Sequence, residues 1–141
     1  MNFKNLIQRY KNIFESNLDE FYIDGPKNMV ETSNFVMSAK GKRVRPILSM
    51  MSCSSLGGGI KDCIDVAIAI ELLHNFTLVH DDIMDEDILR HGKPTVHKKW
   101  DLGTGVLSGD LILSVALDNI TNNYIDKPDV IQVFIKGLVA V

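Results

Sequence analysis

Asp81, Asp82, Asp85, Glu86 and Asp87 gather five carboxylates within seven residues at the end of an apolar run that begins at Glu71, and Arg90, His91 and Lys93 follow at once. Such a cluster works against a fold. The chain upstream of Asp81 is strongly helical, so Asp81 and Asp85 stand one turn apart on one face, roughly 6 Å between Cβ atoms, where like charges oppose the helix. They also lie near the helix C-terminus, whose partial negative charge disfavours anions by a further ~0.3 kcal/mol or more. A hard divalent cation reverses the sign of both effects. Mg²⁺ is usually held by one or two carboxylates, with water and substrate phosphate oxygens completing its shell. The cluster reads as a metal-diphosphate site.

A second chemical stretch is Gly41-Lys42-Arg43-Val44-Arg45-Pro46, three cations beside a helix start, where backbone N–H groups and the helix dipole add to anion attraction. A short basic run is by itself ordinarily a solvated loop. Beside an acidic cluster and a second basic turn in one small chain, it reads as an anion site. His74 lies seven residues before Asp81, two turns or roughly 10.5 Å along the same helix face, so the two can address neighbouring ligands. A lone histidine on a buried helix is otherwise a satisfied core side chain, which is the reading kept for His80.

The elements that position these residues are helical throughout. Leu6, Ile7, Tyr10, Phe14 and Leu18 define an amphipathic helix over about residues 2–20, broken by Asp24-Gly25-Pro26. Pro26 begins a second helix through Met37 that is expected to end near Gly41 in the left-handed conformation. A third, about Pro46 to Ser55, runs into the glycine loop Leu56-Gly57-Gly58-Gly59, which lacks the GK[ST] of a phosphate-binding loop. From about Ile60 to Asp85 the chain is apolar on nearly every side, so this helix belongs in the middle of a bundle and the acids sit at its mouth. Residues 86–94 read as a loop. Thr95 is expected to cap a short helix through Trp100, and Thr104 to cap one from Gly105 to Tyr124, with Asp126-Lys127-Pro128 starting another. With no strand pattern or repeat, residues 1–141 make a single all-α domain. The chain ends on apolar Leu138-Val139-Ala140-Val141 in mid-helix, so the domain is expected to be incomplete, with the C-terminal half of the bundle missing.

Composition narrows the class. Hydrophobic residues make up 45% and charged residues 23%, near globular norms. A net charge of −3 argues against a nucleic-acid surface. Cys53 and Cys63 have no metal-ligand or CxxC spacing and are expected to be reduced core thiols. The amphipathic N-terminus lacks a signal-peptide core and no apolar run reaches the ~18 residues of a membrane span, so a cytoplasmic protein is expected.

In order, GKRVRP, E-x-x-H followed by LVHDDIMDED, LRHGKPT and GVLSGDLIL resemble the N-terminal half of a trans-isoprenyl diphosphate synthase, strongly over about residues 38–120. The resemblance implies an all-α helical bundle of the isoprenoid synthase type, of which this is the N-terminal portion. It implies a short-chain enzyme of the geranylgeranyl or farnesyl diphosphate type, condensing isopentenyl diphosphate with an allylic diphosphate of C5 to C15, usually as a homodimer. Asp81 and Asp85 would ligate Mg²⁺ on the allylic diphosphate, Asp82 would support them, and Arg90 would add a charge-assisted contact. Lys42, Arg45 and His74 match positions that bind isopentenyl diphosphate. Phe76, about 7.5 Å below the metal along the helix, would floor the hydrocarbon cavity, as an aromatic there does in short-chain members.

Two features depart from the family pattern. Many relatives have two arginines where this chain has Arg90-His91, so His91 or Lys93 would supply the second diphosphate contact. The family's second aspartate-rich cluster is not in these residues: after Asp110 the only acids are Asp118, Asp126 and Asp129. Residues 1–141 alone are therefore expected not to turn over substrate. Two rivals remain: a non-catalytic partner subunit, which would be expected to lose its metal-binding acids, and a class I terpene cyclase, which has no use for a Lys42/Arg45/His74 site.

Overall fold

The computed structural model describes residues 2–21 and 23–140. Helix α1 spans Phe3–Glu20, α2 Lys27–Met37 and α3 Val44–Ser55. A single 3₁₀ turn, Ile60–Asp62, leads into α4, Ile64–Met84. A hairpin of two-residue strands follows, β1 Leu89–Arg90 and β2 Lys93–Pro94, then α5 Val96–Lys99, α6 Leu102–Asn123 and α7 Pro128–Val139. The all-α expectation holds.

Helix α4 is the axis. Leu72, Ala67 and Ala69 on it are fully buried, and it meets α1, α2, α3 and, most extensively, α6. The core joins Phe14 of α1, Met50 of α3, Leu72 of α4 and Ile112, Ala116 and Ile120 of α6. Contacts along the α4–α6 seam run in opposite order on the two helices. Asn119 Nδ2 donates to Asp65 O at 2.7 Å and Tyr124 O–H to Asp62 O at 3.0 Å at one end. At the other end, Gly109 faces His80 and Gly105 faces Ile83, so the helices are antiparallel. A Cβ on Gly109 would fall inside the His80 ring, and one on Gly105 would meet Ile83 Cδ1 at 3.1 Å. Absence of side chains at these two positions lets α6 approach the acidic end of α4. Helix α2 joins the seam through a buried hydrogen bond between Thr32 and Ser108 hydroxyls.

Several boundaries differ from the sequence reading, each for a local reason. Helix α2 stops at Met37, where the Ser38 N–H turns back to Asn34 O, and the left-handed residue is Arg43 (φ 51°), not Gly41. Helix α3 starts two residues before Pro46, which needs no N–H in the first turn. The long apolar helix does not run unbroken from Ile60: the 3₁₀ turn closes on the Asp62 carboxylate, which accepts from Gly59 N–H at 2.8 Å. Residues 86–94 are not a plain loop. His91 (φ 51°) and Gly92 (φ 77°) form a two-residue turn with both φ positive, the geometry that matches strand twist, and pair Arg90 with Lys93. Thr95 does not cap α5 with its side chain; its hydroxyl donates to Asp87 O at 2.7 Å. Asp101, not Thr104, caps α6, accepting from Thr104 N–H at 2.8 Å and from its hydroxyl at 2.6 Å. Cys53 and Cys63 are free thiols that both point at Gly59 O, and burial, then Cys53, pushes the Cys63 thiol up to about 12.

Candidate functional site

Helix α4 ends in the middle of the acidic cluster, and the way it ends sorts the five carboxylates. Glu86 adopts the left-handed conformation (φ 56°), its N–H reaching Ile83 O at 3.3 Å while Asp87 N–H reaches Asp82 O at 2.9 Å. This closure is usually made by glycine. It turns the chain so that Arg90 on β1 folds back over the helix end. Arg90 Nε donates to Asp82 Oδ1 at 2.5 Å, and its Nη2 lies 3.6 Å from Asp87. Asp82 is only 5% exposed; burial pushes its carboxyl above the usual range, with Arg90 opposing. Asp81 and Asp85 stay exposed, and among the described residues neither has a cation within 4 Å.

This sorting bears on the metal. Two free carboxylates one turn apart, at a helix end that disfavours them, fit a Mg²⁺ that keeps water and phosphate oxygens as its other ligands. Among the described residues no three His, Cys, Asp or Glu side chains close into a protein-only metal cage. The donor set matches a shared site, not a structural one.

Beside the acids, the α2–α3 loop, α4 and the hairpin enclose a cavity of about 670 Å³. Lys42, Arg45, His74, Arg90, His91 and Asp82 all line it. Asp81, Asp85 and Phe76 do not. The cavity's two carboxylates, Glu71 and Asp82, are each held by an arginine, at 2.7 and 2.5 Å. Lys42, Arg45 and Lys93, by contrast, have no carboxylate within 4 Å among the described residues. The unbalanced charge in the cavity is positive. Arg45 Nη1 lies 3.2 Å from His74 Nε2, so these two side chains, 29 residues apart, converge on one point. Burial first, then Arg45, lowers the His74 pKa, with Glu71 and Asp81 acting the other way.

Phe76 lies on a different part of α4, half-buried, with its ring 4.7 Å from the His80 ring. His80 Nε2 is 3.5 Å from Asp110, and its Nδ1 is 3.2 Å from Phe76 O, so it is used in the α4–α6 seam. Sequence reasoning passed over two cavity residues, Arg43 and Glu71. Arg43 sat inside the basic hexamer and Glu71 began the E-x-x-H, but nothing in their spacing pairs residues 28 apart. Arg43 keeps its charge: burial opposes it, and hydrogen bonds to Glu15 and Glu71 outweigh burial.

An all-α bundle with an acidic helix end facing a basic cavity defines a class that handles metal-bound anionic substrates. The chain belongs to the polyprenyl synthetase family, whose model matches residues 26–141. It is 36% identical over 124 residues to a short chain isoprenyl diphosphate synthase of Methanothermobacter thermautotrophicus, covering 87% of this chain and 38% of that protein. It is 37% identical over 119 residues to a farnesyl diphosphate synthase of Micrococcus luteus, covering 83% of this chain and 41% of that one. Among solved structures, geranylgeranyl pyrophosphate synthetase of Geoglobus acetivorans superposes with a TM-score of 0.78 at 36% identity, over 82% of this chain and 38% of that one. The chain thus spans well under half the length of these relatives. Among the described residues no helix is long and apolar enough to cross a membrane.

Proposed function

We propose that this chain carries the isopentenyl diphosphate site and the first metal-binding face of a short-chain prenyl diphosphate synthase. The observation that supports this most is the sorting of charge. The cavity's acids are neutralised by arginines and its cations are free, while Asp81 and Asp85 stand unpaired at the adjoining helix end.

Lys42, Arg45 and His74 hold the diphosphate of isopentenyl diphosphate, and His91, with Lys93 beside it on the hairpin, stands where a second arginine is usual. Asp81 and Asp85 hold Mg²⁺ on the allylic diphosphate, and Arg90, fixed by Asp82, adds a charge-assisted contact to it. When bound, the metal neutralises the charge that develops on the departing diphosphate. The allylic C–O bond breaks, the double bond of isopentenyl diphosphate attacks the allylic cation, and loss of a proton leaves a chain five carbons longer. Phe76 shortens the hydrocarbon space, favouring short products from C5 to C15 primers. The active form is a cytoplasmic homodimer. Residues 1–141 by themselves do not turn over, because the opposing aspartate-rich face is not among them.

Titration of isopentenyl diphosphate into the purified protein, with Lys42→Ala, Arg45→Ala and His74→Ala alongside, tests the site. Binding that all three substitutions leave intact would overturn it. Purified residues 1–141 that elongate an allylic diphosphate would overturn the claim of inactivity.

A further inference from the structure

We infer that Arg43 is a positioning residue, the buried bolt that sets Lys42 and Arg45 against His74; this rests on the isopentenyl diphosphate reading of that cavity. In Lys42-Arg43-Val44-Arg45 only Arg43 is buried, at 6% exposure; its three neighbours face solvent. Its left-handed backbone (φ 51°, ψ 37°) reverses the chain at the start of α3, sending its own side chain inward while Lys42 and Arg45 remain at the cavity.

The guanidinium reaches three elements. Nε donates to Glu15 of α1 at 3.0 Å and Nη1 to Glu71 of α4 at 2.7 Å. Nη2 donates to the carbonyls of Met37 and Ala39 at the end of α2, at 3.2 and 3.0 Å. Lys11 of α1 adds a tie to Gly41 O at 2.8 Å. With four of its donors engaged inside the protein, Arg43 has at most one N–H left for a ligand, so its part is to position rather than to bind. Glu71 lies one turn from His74 on α4. The Arg43–Glu71 pair therefore fixes the basic arm relative to the helix that carries its third member, and the 3.2 Å approach of Arg45 to His74 is the result.

Holding these helices together does not require such a device. A buried ion pair is commonly no more stabilising than well-packed apolar side chains, and a non-glycine left-handed residue adds strain. What the pair supplies is direction, since a planar fork fixes several acceptors at defined angles and a lysine ammonium does not.

The test is calorimetric titration of isopentenyl diphosphate into purified protein, reading affinity and stoichiometry separately, with thermal unfolding alongside. Arg43→Gln, Arg43→Lys and Glu71→Gln are each expected to weaken binding at least about tenfold at unchanged stoichiometry. Loss of fold alone would lower stoichiometry and leave affinity unchanged. The double variant Arg43→Met with Glu71→Leu is expected to recover thermal stability but not affinity, and it carries the test if the single variants do not fold. Affinity within about twofold of wild type in a folded Arg43→Gln, or recovered with stability in the double variant, overturns the inference. Wild-type protein that does not bind, or that binds regardless of Lys42→Ala, Arg45→Ala and His74→Ala, overturns the site reading as well.

Discussion

Arg45 Nη1 stands 3.2 Å from His74 Nε2, and because a guanidinium has no acceptor, the imidazole must present its lone pair there. In this arrangement His74 is neutral, with its proton on Nδ1. The lowered pKa agrees, set by burial and by Arg45 and Arg90, with Glu71 and Asp81 opposing.

A pH dependence follows. The folded protein releases the His74 proton more readily than the unfolded chain, whose value is the ordinary 6.5. Between the lowered value and 6.5 the unfolded state binds more protons, so stability rises with pH through that window and levels off above it. An anionic diphosphate acts oppositely, favouring the protonated ring. Isopentenyl diphosphate affinity should therefore grow as pH falls towards that window. Chemical denaturation and titration across pH, compared with His74→Gln, check both slopes; equal slopes in the two proteins would count against this assignment.

Asp81 and Asp85 are expected to trade stability for metal. Asp81→Asn and Asp85→Asn should each stabilise the metal-free protein by about 0.3 kcal/mol, since each removes an anion from a helix C-terminus and a like-charge pair. The same variants should weaken Mg²⁺-dependent binding of an allylic diphosphate at least about tenfold. Chelation of Mg²⁺ by EDTA should abolish that binding in wild type. Geranyl diphosphate titrated with and without Mg²⁺ reads both effects.

Arg90→Ala leaves the Asp82 carboxylate buried without its partner and should cost about 1–3 kcal/mol in unfolding free energy. Arg90→Ala with Asp82→Ala should recover part of that loss without restoring allylic diphosphate binding. A double-mutant cycle of denaturation midpoints measures the coupling.

Gly109→Ala puts a methyl group into the space of the His80 ring and should destabilise by about 1–3 kcal/mol through the α4–α6 seam. His80→Ala in the same protein should relieve most of the clash. An alanine at Gly109 that unfolds at the wild-type midpoint would show the seam to be looser than described.

Much of this molecule was legible along the chain. Periodicity placed α1 and α7 to within about a residue or two, and the all-round apolarity of residues 64–79 made α4 the axis, because burial on every side leaves no polar stripe. The hairpin was missed because His91-Gly92 is a less common pair than Asn-Gly for a turn with both φ positive, and strands of two residues carry no alternation.

The sequence by itself determined which chemistry is present: a run of carboxylates at a helix end, two basic segments and a histidine two turns upstream. It could do so because residue type and helical spacing are local properties. Only the tertiary structure decided how those charges are divided. Asp82 is tied to Arg90 while Asp81 and Asp85 are free, and Arg43 is spent inside the protein while Lys42 and Arg45 face the cavity. Cys53 and Cys63, unrelated in spacing, meet at one carbonyl. Each outcome depends on which helix lies beside which. A charge within reach of an opposite charge is neutralised and one beyond about 4 Å is left for a ligand, and that distance is fixed by packing rather than by position in the chain.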